Sequence, residues 1–126
     1  MLEKLSADCE VVAATVEEHV MVSSAECWRS GRRLWSVAHD SQSSADHLVE
    51  SGSPPASFQA IKDRLFAAQS KEKADDPMRV DHLFDAPLEL AESLTGFKHD
   101  KEVEAKFEVL KKKAPDGFFA RLFAKR

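Results

Sequence analysis

Cys27-Trp28-Arg29-Ser30-Gly31-Arg32-Arg33-Leu34-Trp35 is the stretch whose reading decides the fold of the first half of this chain. Ser30-Gly31 is a two-residue turn pair between strand-forming residues, because glycine tolerates the positive φ that a tight hairpin turn demands. With that turn central, Trp28 pairs with Arg33, Glu26 with Trp35, Ser24 with Val37 and Val22 with His39. Side chains alternate across a strand, so this register puts Trp28, Trp35, Val37 and His39 on one face. Met21, Ala25, Cys27, Leu34 and Ala38 take the other, a small apolar surface suited to a packed helix. A one-residue shift of the turn would exchange the faces of one strand.

Moving toward the N-terminus, Cys9 to Val16 is dense in β-branched residues and reads as a strand. A short turn precedes it, and Glu17-Glu18 forms the bend into the next strand. Leu2, Leu5, Cys9, Val12 and Val16 also fit helical spacing, so the periodicity leaves a helix open there. In the other direction, the Ser-rich residues 41–57 read as loop, with a short strand around His47 to Glu50. A helix is predicted from near Pro54 or Pro55, with Ser53 as its cap. Phe58, Ile61, Leu65 and Ala68 form its apolar stripe, and a charged linker follows from Lys71 to Arg79. Val80 to Phe84 reads as a final short strand. Asp85 then caps a helix with Pro87 in its first turn and Leu88, Ala91 and Leu94 as its stripe, and Gly96 ends it. A third helix opens at Asp100, with Val103, Phe107 and Leu110 inward, and a last short one runs from Asp116 to Lys125.

These elements predict an α+β fold: an antiparallel sheet of three to four strands, mainly residues 9–50, with three to four helices in the C-terminal half covering one face. Residues 1–114 form a single domain and 115–126 a basic amphipathic C-terminal helix or tail. The 126 residues, 43% hydrophobic and 32% charged, fit one globular domain. No apolar run approaches the roughly 18–20 residues that cross a bilayer. The apolar stretch from Val11 is cut by Glu17 and Glu18, unlike a signal peptide. Cys9 and Cys27 have no metal or redox spacing and read as buried free thiols, which points to the cytoplasm.

The net charge of −4 hides a division. Residues 1–97 carry nine Lys/Arg against seventeen Asp/Glu, and residues 98–126 carry nine against five. An acidic body repels phosphate backbones, so nucleic acid is not an expected partner. Only the C-terminal segment suits an anionic surface.

The familiar catalytic signatures are missing. The chain lacks a glycine-rich phosphate cradle, a Gly-x-Ser-x-Gly elbow and a His-Glu-x-x-His motif. It also contains no tyrosine. No cofactor is expected. Four of the five histidines adjoin an aspartate: His39-Asp40, Asp46-His47, Asp81-His82 and His99-Asp100. His39, Asp40, Asp46 and His47 are close enough in sequence to converge as a metal or acid–base set. The alternative is charge pairing and loop capping, since adjacent residues in a strand point to opposite faces. Trp28 and Trp35, with Arg33 between them and His39 at the strand end, suit a partner-binding surface; equally, the tryptophans suit a core. The C-terminal segment from Gly117 to Arg126 combines Phe118, Phe119, Leu122 and Phe123 with three cations. They suit docking on the body, a protein partner, self-association as a homodimer, or a membrane surface. The leading expectation is a non-catalytic protein-interaction module of a regulatory, adaptor or toxin-neutralising type. A small metal-dependent or histidine-based hydrolase and a membrane-peripheral protein are the alternatives.

Overall fold

Ser30 and Gly31 both adopt positive φ, 54° and 75°, the backbone of a type I′ hairpin turn. The computed structural model describes residues 1–101 and 107–109. A short helix α1 (Leu2–Leu5) leads into strands β1 (Glu10–Glu17), β2 (Val22–Arg29), β3 (Arg32–Asp40) and β4 (Val49–Gly52). They form one antiparallel sheet in the order β1-β2-β3-β4. Helix α2 (Phe58–Ser70), a 3₁₀ turn (His82–Phe84) and helix α3 (Asp85–Thr95) follow. The fold is α+β, with a four-stranded antiparallel sheet.

The hairpin departs from the expected register. Trp28 does pair with Arg33, but Cys27 then lies opposite Trp35, Ala25 opposite Val37 and Ser23 opposite His39. Leu34 is an extra residue on β3, a β-bulge. Strand β4 holds it: the Ser53 N–H donates to the Leu34 carbonyl at 3.1 Å. Gly52 approaches so closely that a Cβ there would sit 2.2 Å from the same oxygen. The bulge reverses the facing of β3 beyond Leu34. Trp35, Val37 and His39 therefore join Ala25 and Cys27 on the buried face, and Trp28 lies on the opposite one. Because Gly52 also has φ +74°, Gly52→Ala is expected to cost about 2 kcal/mol or more, measured as a shift in urea midpoint at constant slope. A variant as stable as the parent would show that β4 does not hold the bulge.

The core gathers Ala25, Cys27, Trp35 and Val37 from the sheet with Phe58 and Leu65 of α2, Leu83, and Ala86, Leu90 and Ala91 of α3. Helix α3 lies against β1, β2 and β3, while α2 packs on α3 and on the 3₁₀ turn. Lys62 of α2 also reaches Glu50 of β4 at 2.9 Å. At the far end, the buried Ser6 hydroxyl accepts the Gly31 N–H at 3.1 Å and pins α1 to the hairpin turn. No helix among the described residues is long and apolar enough to cross a membrane.

Several predicted elements are placed differently. Among the described residues there are three α-helices, and one of them precedes the sheet. Val80 to Phe84 is not a strand. Leu83 and Phe84 are consecutive and both buried, which a turn allows and strand alternation does not. The Ser23 hydroxyl donates to the Phe84 carbonyl at 2.7 Å, fixing that turn under β2. The 3₁₀ turn runs straight into α3, so Asp85 caps nothing and instead pairs with Lys98 at 3.4 Å. Leu94 is exposed; Ala86, Leu90 and Ala91 form the inner side of α3. Helix α2 starts at Phe58, after the turn in which the Phe58 N–H bonds the Pro55 carbonyl. Asp100 lies in a turn and Phe107 in irregular chain; Val103, Leu110, the helix predicted from 116 to 125 and the tail at 115–126 lie outside the described residues.

Cys27 is buried, but Cys9 is exposed. Cys9 stands one residue before β1, where its thiol donates to the Leu5 carbonyl of α1 rather than entering the core. Burial pushes the Cys27 thiol up, and the neighbouring Glu10 carboxylate pushes it further, so it stays protonated and unreactive at neutral pH. Iodoacetamide under native conditions is therefore expected to label Cys9 and spare Cys27, with both labelled in denaturant; mass spectrometry reads the difference. Rapid double labelling of the folded protein would contradict the assigned packing of Cys27.

Candidate functional site

Two places collect the polar and aromatic residues that the sequence singles out. The first lies where the end of β3 meets the Ser-rich loop, the C-terminal end of α2 and the 3₁₀ turn. His39 ends β3 on its buried face and is wholly enclosed. Its Nδ1 lies 2.5 Å from the His47 carbonyl oxygen, and its Nε2 lies 2.8 Å from Asp81 Oδ2. A carbonyl only accepts, so Nδ1 carries a hydrogen. Both contacts are hydrogen bonds only when the His39–Asp81 pair also holds a proton between Nε2 and the carboxylate. The other Asp81 oxygen is buried without a partner among the described residues.

The neighbours serve the same local architecture. His47 Nδ1 accepts the Asp40 N–H at 2.8 Å. The Asp40 carboxylate accepts the Gln42 N–H at 2.9 Å and the Ser43 hydroxyl at 3.3 Å, a turn-stabilising pattern. His82 Nε2 meets Glu72 at 2.7 Å, and its backbone N–H donates to the buried Gln69 side chain at 2.8 Å. An open cleft of about 230 Å³ lies alongside, lined by Asp46, Gln69, Ser70, Glu72 and Arg79 among others. Ser70 offers no free hydroxyl to it, because its Oγ donates to the Ala67 carbonyl at 2.8 Å.

The structure thus brings His39, Asp40 and His47 together, while Asp46 stands exposed at the cleft. Their ring nitrogens and carboxylate oxygens are largely engaged by the protein itself. Among the described residues, no group of three or more His, Cys, Asp or Glu side chains is arranged to hold a metal ion. None of the adjacent His–Asp residues is a side-chain pair. His39 meets Asp81, His82 meets Glu72, and His99 meets Glu18. The roles of Asp81, Gln69 and Glu72 had no local signal, since they come from a segment that folds back onto β3.

The second place is the sheet face away from the helices. Trp28 is half-buried there, and its indole N–H is enclosed without a hydrogen-bond partner among the described residues. Glu26 and Arg33 share the face and lie 3.8 Å apart. Around them the strands present Ala13, Thr15, Ser24, Ser36, Ala38 and Ser51, following the observed pairings. Trp35 is absent from this surface, being 4% exposed in the core. Two tryptophans on one face is therefore a wrong expectation, and its cause is the Leu34 bulge. His39 belongs to the core side as well. Phe118, Phe119, Leu122 and Phe123 lie outside the described residues.

No family model, curated protein or solved structure matches this chain.

Proposed function

We propose that this protein is a non-catalytic interaction module whose acidic body binds a basic partner protein. The observation that carries this reading is the sheet face centred on Trp28. A half-buried indole, its ring opposite Val11, stands beside the Glu26–Arg33 pair on the sheet face away from the helices. Aromatic and guanidinium groups are the residue types that anchor protein interfaces. The excess of carboxylates over cations in residues 1–97 favours a cationic partner. Histidine-based hydrolysis draws less support, because His39 is enclosed and both of its ring nitrogens face protein oxygens.

The test uses the full-length protein and Trp28→Ala as parallel baits. A protein retained by the first is identified by mass spectrometry, prepared pure and titrated against both baits. The expected result is a basic protein whose affinity falls roughly tenfold or more with Trp28→Ala, while the circular dichroism spectrum is unchanged. Equal affinity for both baits, or a retained protein that is acidic, would refute the proposal.

A further inference from the structure

The strand order leaves β1 and β4 as the two edges of the sheet. Strand β4 is four residues long and is tied to α2 through Glu50 and Lys62. Strand β1 is twice that length and pairs with β2 along all eight residues without a register shift. Among the described residues, no backbone hydrogen bond beyond that ladder reaches residues 10–17. Every second N–H and C=O of β1 therefore points outward, without a partner among the described residues. Proteins commonly guard such an edge with a lysine, a proline or a bulge. Glu-Val-Val-Ala-Ala-Thr-Val-Glu has none of these.

A hollow runs beside this edge. Ala14 and Val16 of β1, Leu88 and Ala91 of α3, and Phe97 line a mainly apolar depression of about 80 Å³. Lys98 and His99 close one side of it. Burial by itself would push the Lys98 ammonium down, but its hydrogen bond to Asp100 and the nearby Asp85 hold it above its usual value; it is a cation already offset by carboxylates. His99 leans on Glu18 at 3.2 Å. Glu10 and Glu17 mark the two ends of the strand, with Glu18 next to it.

We propose that the outer edge of β1 and this hollow form a strand-addition groove. It accepts an extended segment of a partner protein that is apolar at its centre and flanked by lysine or arginine. The proposal rests on the reading of the protein as an interaction module and adds a contact at the sheet edge, separate from the Trp28 face. Main-chain hydrogen bonds to β1 give the affinity, and an alternate side chain enters the hollow to give specificity. Charge selects the occupant. Antiparallel pairing of β1 with a second copy over its full length would set Glu10 opposite Glu17 at both ends, and like charges directly opposite are destabilising. A segment with basic flanks puts cations at those positions.

The test titrates the ¹⁵N-labelled full chain with three synthetic peptides. One has the sequence Lys-Lys-Val-Thr-Val-Thr-Val-Lys-Lys, one has its lysines replaced by glutamates, and one keeps the lysines but is N-methylated at alternate residues. The expected result is amide shifts concentrated in residues 10–17 and 97–99 with the first peptide, and binding weaker by roughly tenfold or more with the other two. The double variant Glu10→Lys, Glu17→Lys should reverse the preference between the two charged peptides. Equal binding of the N-methylated peptide would overturn strand addition. Shifts centred on Trp28 alone would overturn the groove and leave the interaction module standing. Absence of binding at millimolar peptide, or a dimer paired through β1, would also overturn it.

Discussion

His39→Ala is expected to lower the unfolding free energy by about 3 kcal/mol, the low end of the range for a broken buried ionic pair. The imidazole links three separate segments: β3 itself, the loop carbonyl of His47 and the Asp81 side chain. Removing it strands Asp81, whose second oxygen already has no partner among the described residues. The carboxylate then keeps no protein hydrogen bond among the described residues. Because the Asp81 side chain retains 17% exposure, water reaches part of it, which places the loss at the lower end. The reciprocal change, Asp81→Ala, should cost only about 1–2 kcal/mol. It leaves a neutral imidazole that keeps its Nδ1 hydrogen bond, while its Nε2 lone pair goes without a donor. Urea unfolding of both variants and of the double variant gives the coupling between them. Equal losses, or a loss under about 1 kcal/mol for His39→Ala, would show that the pair is not the clasp between loop and sheet.

Which parts of this arrangement could be seen beforehand follows from how locally each is determined. Ser30-Gly31 was legible because a two-residue turn is a property of two residues: both need positive φ, and one of them is glycine. The strands on either side and the stripe Phe58, Ile61 and Leu65 of α2 were legible through their periodicity. The facing of Trp35 was not, because it depends on Leu34 being inserted into the ladder. That insertion is held by Gly52, the last residue of β4, and by Ser53 just after it, beyond the Ser-rich loop that follows β3. In the sequence Gly52 is one more residue of a loop-like composition, whereas its lack of a Cβ is what lets β4 close on the Leu34 carbonyl. The histidine cluster repeats the lesson. Convergence of His39 with His47 was foreseeable from the short loop between them. The partner that matters, Asp81, comes from far along the chain and was visible only as the neighbour of His82. Adjacency in sequence suggested four His–Asp pairs, and packing chose different acids for His39, His82 and His99.

The same bulge makes the two tryptophans respond in opposite ways to the same substitution. Trp35→Ala opens a hole in the core, where the indole belongs with Phe58 and Val37 to the cluster that joins sheet and helices. Truncating a buried aromatic costs about 3–5 kcal/mol, and small domains hold only about 5–15 kcal/mol in total. The variant should therefore sit close to its unfolding midpoint at ambient temperature. Trp28→Ala removes a half-buried ring from the open face, and with it an enclosed N–H that has no hydrogen bond among the described residues. Relief of that polar group offsets part of the lost apolar contact, so the net cost should stay near 1 kcal/mol or below. Thermal unfolding followed by near-ultraviolet circular dichroism separates the two, since each variant retains one indole as its reporter. In the regular register, without the bulge, both rings would share one face and one environment, and the two substitutions would cost alike. The difference between them therefore measures the bulge directly. A strongly destabilised Trp28→Ala beside a well-folded Trp35→Ala would require both β2 and β3 to face the other way, with Trp28 in the core and Trp35 on the open face.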